Sequence, residues 1–131
     1  SMNRNGEIQG CFSHETALTL YELSDAMPSK LHMTVPPGFR RMAPAPKGVV
    51  LHRSRLANED IEHRQGYRIT RPLRTLADLA SEGRMSPDLL RQAAKEALDR
   101  GLVRLAAVEG AGHLPKSVRK RLKKLLHEAS R

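Results

Sequence analysis

Apolar and polar positions change rhythm once along this chain, at Ile69-Thr70-Arg71-Pro72-Leu73-Arg74-Thr75-Leu76-Ala77-Asp78-Leu79-Ala80. Before this stretch the pattern alternates in short runs broken by turn residues. After it, apolar residues recur at helical spacing to the end of the chain. Ile69 closes a strand pattern, Thr70 is a good N-cap, and Pro72 sits in a first helical turn, where no backbone N–H is needed. The stretch therefore predicts a strand that runs directly into a helix, at the seam between a small sheet and a helical half.

Upstream of the seam, Ser13 and Glu15 start a helix over 14–23, with Ala17, Leu18 and Tyr21 on one face. Asp25 to Pro28 stops it. Leu31-His32-Met33-Thr34-Val35 alternates and predicts a half-buried strand. Residues 36–48 hold four of the eight prolines, which predicts a loop or an edge hairpin. Val49-Val50-Leu51-His52 reads as a more buried strand. Residues 61–64 and 67–70 flank Gln65-Gly66 and predict a hairpin. Downstream, helices are expected over 71–82, from Ser86-Pro87-Asp88 to Gly101, over 103–109 and over 115–128. Val118, Leu122, Leu125 and Leu126 give the last helix its apolar stripe. The expected class is α+β: a small, mostly antiparallel sheet of about four strands, flanking helices and a helical C-terminal half. The expected organisation is a polar tail over 1–12, an α+β domain over 13–110 and a basic amphipathic helix over 111–131.

Charge sharpens the picture. The net charge of +9 on 131 residues favours an acidic partner. Residues 101–131 carry eight Lys and Arg against two Glu, which is +6 of that total. Lys116, Arg119, Lys120, Arg121, Lys123 and Lys124 occupy the last helix around its apolar stripe, a pattern suited to phosphate contacts. The alternative is an ordinary solvated face. Arg40, Arg41, Arg53 and Arg55 form a second basic group in and beside the proline-rich segment. Without aromatic residues in the last helix, recognition of single strands by stacking is disfavoured, and so is membrane anchoring. The lone Cys11 excludes a disulfide framework within the chain and points to a reducing cytoplasm. No apolar run approaches the ~20 residues of a membrane span.

Candidate catalytic chemistry is sparse. Arg74 and Asp78 stand four apart on the seam helix, as a local ion pair or as a partner contact. No two of the six histidines have the spacing of a zinc helix. His32, His52 and His63 each fall in an expected strand and could face one another, though such histidines are more often hydrogen-bonded or exposed. No nucleophile elbow, phosphate-cradling glycine loop or nuclease-type acid pair is present, so no catalytic residue, metal or cofactor is expected.

Several phrases, taken in order, resemble a known family. They are Ser13-His14-Glu15-Thr16-Ala17-Leu18, Tyr21-Glu22-Leu23-Ser24, His32-Met33-Thr34-Val35-Pro36, Gly48-Val49-Val50-Leu51-His52-Arg53 and Tyr67 through Leu79. Together they resemble the effector domain of the AbiEi-like antitoxin and transcriptional-regulator family of type IV toxin–antitoxin systems, over about residues 12–108. Related domains also stand beside a restriction-endonuclease-like module. Family members usually carry an N-terminal winged helix-turn-helix, and about a dozen residues before the first helix are too few for one. Ser1 before Met2 has the look of a cloning remnant. The resemblance implies a non-enzymatic antitoxin half and no catalytic residues. The expected partners are duplex DNA, held through the basic surface, and alternatively a cognate toxin or another acidic protein; a membrane is not expected.

Overall fold

A computed structural model describes residues 10–25, 28–40 and 46–131. The elements in chain order are β1 (Cys11–Phe12), α1 (His14–Leu20), β2 (Leu31–Val35), β3 (Val49–Arg53), β4 (Ile61–Arg64), β5 (Tyr67–Thr70), α2 (Pro72–Glu82), α3 (Pro87–Asp99), α4 (Leu105–Glu109) and α5 (Lys116–Ala129). The architecture is α+β. Its single sheet has five strands in the order β3-β2-β1-β5-β4.

The sheet is mixed rather than mostly antiparallel. β1 pairs antiparallel with β2 and parallel with β5. β2 and β3 are parallel, in register from Leu31↔Val49 to Val35↔Arg53. β4 and β5 form the expected hairpin, Ile61↔Thr70 to Arg64↔Tyr67. Its turn uses Gly66 at a φ of 89°, a left-handed conformation that glycine adopts without a Cβ clash. Parallel pairing means that β2 and β3 are not joined as a hairpin, because parallel neighbours need a crossover; residues 41–45 of the proline-rich segment lie outside the described residues. β3 lies at a sheet edge, half-buried rather than central. The extra strand is β1, taken from the expected tail. Cys11 and Phe12 are too few to show a period of two, yet they hold the middle of the sheet, with Cys11 fully buried.

The alternation in β2 is real, but its polar positions are buried, together with Val35 at the end of the strand. His32 and Thr34 are buried, whereas Leu31 is 41% exposed. α1 and the residue before it bind this strand: the His32 backbone N–H donates to Thr16 Oγ1 at 2.8 Å and Thr34 Oγ1 donates to Ser13 Oγ at 2.8 Å. Helix α1 ends at Leu20, short of the expected 23, because Glu22 turns left-handed at φ 59°.

The seam is as expected in outline. β5 ends at Thr70 and α2 starts at Pro72. The cap position falls on Arg71, and Thr70 Oγ1 lies instead 2.6 Å from Thr75 Oγ1 in the interior. α2 is the central element. Leu76, Ala77 and Leu79 are buried against α1, α3 and α5 in one apolar cluster with Ile69, Leu18, Leu122 and Leu126. Ala93, Ala94 and Ala97 on α3 are all fully buried. Their small side chains allow α5 to pack closely against α3. The leucines of α5 thus share the core of the sheet half. No described helix is long and apolar enough to cross a membrane.

Candidate functional site

Two features meet at one side of the molecule. The first is the outer face of α5. At about 100° per residue, Leu122, Leu125, Leu126 and Ala129 point inward and are buried. Lys116, Lys120, Arg121, Lys123 and Lys124 are exposed on the other side. Arg119 is only half exposed, and its Nε is buried without a hydrogen-bond partner, so it belongs to the flank of the face. Lys123 reaches Glu109 at 2.7 Å, and the hydrogen bond it donates holds that carboxyl below the usual range. Arg121 extends toward the Ser81 carbonyl at 3.5 Å.

The second feature is a cavity of about 620 Å³ between the end of β3, α2 and the start of α5. Arg53, Arg55, Arg74 and Asp78, expected in separate groups, all line it. Arg53 and Arg55 are exposed at its edge. The guanidinium of Arg53 donates to the Phe39 carbonyl, which places exposed Arg40 nearby. Arg41 lies outside the described residues. Pro115 and Val118 of the last helix region complete the wall. The second basic group and the N-terminal end of the basic helix therefore border one opening.

Inside, Arg74 is buried and fully engaged. Its Nε donates to Asp78 Oδ1 at 2.8 Å, Nη1 to Asp60 Oδ2 at 3.0 Å and to the Arg55 carbonyl at 3.3 Å, and Nη2 to Ser54 Oγ at 2.8 Å. The pair expected on α2 is thus the centre of a staple between the helix and the segment 54–60. Asp60 also meets His113 Nε2 at 2.8 Å and accepts from the Ala57 N–H at 3.0 Å. Among the described residues Asp78 pairs with Arg74 alone, and its Oδ2 is buried without a partner. Burial outweighs that ion pair and pushes its carboxyl up to about 6.

Three histidines gather beside the cavity, with His14 and His52 in its lining. His32 and His52 do meet across β2 and β3, with Nδ1 and Nε2 2.9 Å apart. His63 does not join them; it is exposed on the opposite edge strand. The third member is His14, from the β1–α1 junction. Its ring stacks on His52 with centroids 3.7 Å apart. His14 Nε2 and His52 Nδ1 converge on one oxygen of Glu82, at 2.8 and 3.0 Å. Arg84 holds the other oxygen at 2.6 Å, and His14 Nδ1 contacts Ser13 Oγ at 2.7 Å. His14 takes a left-handed φ of 55°, uncommon outside glycine, and it is this turn that starts α1.

Hydrogen-bond roles follow by assignment from the network. Thr34 donates to Ser13, so the Ser13 hydroxyl is free to donate to His14 Nδ1. His14 Nε2 and His52 Nδ1 then donate to Glu82, and His32 Nδ1 donates to His52 Nε2. All three imidazoles are neutral in this arrangement. Burial, followed by the neighbouring His52, lowers His14 to about 3, and burial is also the main cause lowering His32 and His52. Among the described residues, His14, His52 and Glu82 form the group whose donor atoms lie close enough to hold a metal ion. His14 carried no periodic or spacing signal. Only its neighbours in space reveal it.

Compared with known proteins, the chain matches no family model and no curated sequence.

Proposed function

We propose that this chain is a non-enzymatic, antitoxin-type transcriptional regulator domain that holds duplex DNA through its basic surface. The observation that carries the DNA reading is the outer face of α5, where Lys116, Lys120, Arg121, Lys123 and Lys124 are exposed together while the leucines beneath anchor the helix to the core. A cationic face fixed to a rigid scaffold loses little freedom on meeting a row of phosphates. Arg53, Arg55 and Arg40 extend positive charge from the start of that helix along the cavity edge. Arg74 and Asp78 are read as structural, since their hydrogen bonds are spent on one another and on the 54–60 segment. The antitoxin assignment rests on the ordered phrases between residues 13 and 79, and with it the reading of a cytoplasmic bacterial protein.

Fluorescence anisotropy with duplex DNA at two salt concentrations tests the DNA reading. Binding is expected to weaken with salt at a log–log slope of about −0.9 per phosphate contact. Changing Lys116, Lys120, Lys123 and Lys124 to Glu should abolish it without unfolding the chain. Absence of binding at low salt overturns the reading. Co-expression with the product of the adjacent reading frame separates DNA binding from docking of an acidic toxin: a stable complex that excludes DNA favours docking.

A further inference from the structure

We propose that His14, His52 and Glu82 form a binding site for a borderline divalent transition-metal ion, of which zinc is the representative, with His32 as the residue that positions His52. The inference goes beyond the DNA reading and is independent of α5.

The donor set fits the ion. Imidazole nitrogen with one carboxylate suits zinc and its neighbours, and disfavours magnesium or calcium, which take oxygen. On a tetrahedral zinc with bonds of about 2.0–2.2 Å, donors sit roughly 3.3–3.6 Å apart. Here Glu82 Oε1 lies 2.8 Å from His14 Nε2 and 3.0 Å from His52 Nδ1, and all the donor atoms fall within 4.8 Å of one another. The two contacts to Glu82 need lengthen by less than 1 Å to take the ion, and the stacked His14 and His52 rings, now 15° from parallel, must tilt so that both ring nitrogens point at it. All three residues line the cavity, so a further coordination position faces solvent-accessible space.

The surroundings fit as well. A ligating histidine needs its other nitrogen engaged, which fixes the ring and its tautomer. His14 Nδ1 has Ser13 Oγ at 2.7 Å, and His52 Nε2 has His32 Nδ1 at 2.9 Å. When the ion takes His14 Nε2, the ring proton sits on Nδ1 and donates to Ser13. When it takes His52 Nδ1, that proton passes to Nε2 and donates to His32. The proton on His32 then moves to its Nε2, which faces the Glu15 carboxylate at 3.8 Å. No net proton is released, because each imidazole stays neutral and Glu82 stays ionised. The three ligands come from the β1–α1 junction, β3 and the end of α2, so the ion would fasten three separated parts of the chain.

The test uses the full chain without an affinity tag. Zinc titration by calorimetry should show one tight equivalent, and saturating zinc should raise the Tm. Imidazole ¹⁵N spectra of the wild type should shift at His14 and His52 on adding zinc, a readout that needs no variant. Glu82→Gln and His52→Gln should remove the tight equivalent. His32→Gln should weaken it by about 10- to 100-fold, as a positioning residue does. The proposal is overturned by no tight equivalent in the wild type, by zinc shifts confined to His63, His113 or His127, or by undiminished binding in a folded Glu82→Gln variant.

Discussion

His14 and His52 lie face to face, ring planes within 15° of parallel, and both hydrogen-bond the same oxygen of Glu82. Two residues 38 positions apart thus share one acceptor beneath the sheet edge. Neither ring has room for a second proton without losing a partner or meeting the other's charge. The acid limb of stability follows from that. An unfolded histidine takes its proton near pH 6.5, whereas His14 in the fold resists until about 3. Its stabilisation is complete above the ordinary value and is lost progressively as pH falls from about 6.5 toward 3, at up to about 1.4 kcal/mol per pH unit. His32 and His52 shift in the same direction. Asp78 opposes them: its carboxyl is raised from 3.8 to about 6, so its burden is present above that value and is relieved as pH falls through it. The histidines together outweigh Asp78, and Glu109, whose carboxyl is also held low by Lys123, acts in their direction, so acidification is destabilising overall. Urea melts between pH 7 and 4 should show a falling midpoint, and His14→Gln should flatten the slope.

Arg74 holds two carboxylates at once, buried Asp60 at 3.0 Å and part-buried Asp78 at 2.8 Å. Arg74→Leu leaves both without their cation and should cost about 3–5 kcal/mol. Arg74→Lys should recover only part, because one ammonium cannot reproduce a fork that reaches Ser54, Asp60 and Asp78 together. Denaturant midpoints of the two variants, at unchanged m-value, check both expectations.

The two faces of α5 should separate cleanly in mutagenesis. Leu126 is fully buried in the shared core, so Leu126→Ala should cost about 2–5 kcal/mol. Lys120 is exposed on the outer face, and Lys120→Ala should stay within about 0.5 kcal/mol while weakening DNA binding. Thermal melts paired with anisotropy distinguish the stabilising face from the binding face.

Local structure was legible from the order of residues alone. The strand-to-helix seam at Thr70 and Pro72, the Gln65-Gly66 hairpin, the Ser86-Pro87 helix start and the leucine stripe of α5 all depend on residues within a turn or two of each other. Turn chemistry and the 3.6-residue period are enough to find them. The exposed lysines of α5 were legible for the same reason, since the stripe tells which side faces inward. The remainder depends on contacts between distant parts of the chain. β1 is two residues long and defined by its neighbours on both sides. Strand direction between β2 and β3 leaves no trace in an alternation. The polar side chains of β2 can be buried because Ser13 and His52 supply hydrogen bonds to Thr34 and His32. The meeting of His14, His32, His52 and Glu82, and of Arg74 with Asp60, joins residues 14 to 68 positions apart. Such contacts are set by how the chain closes on itself, and no spacing along it records them.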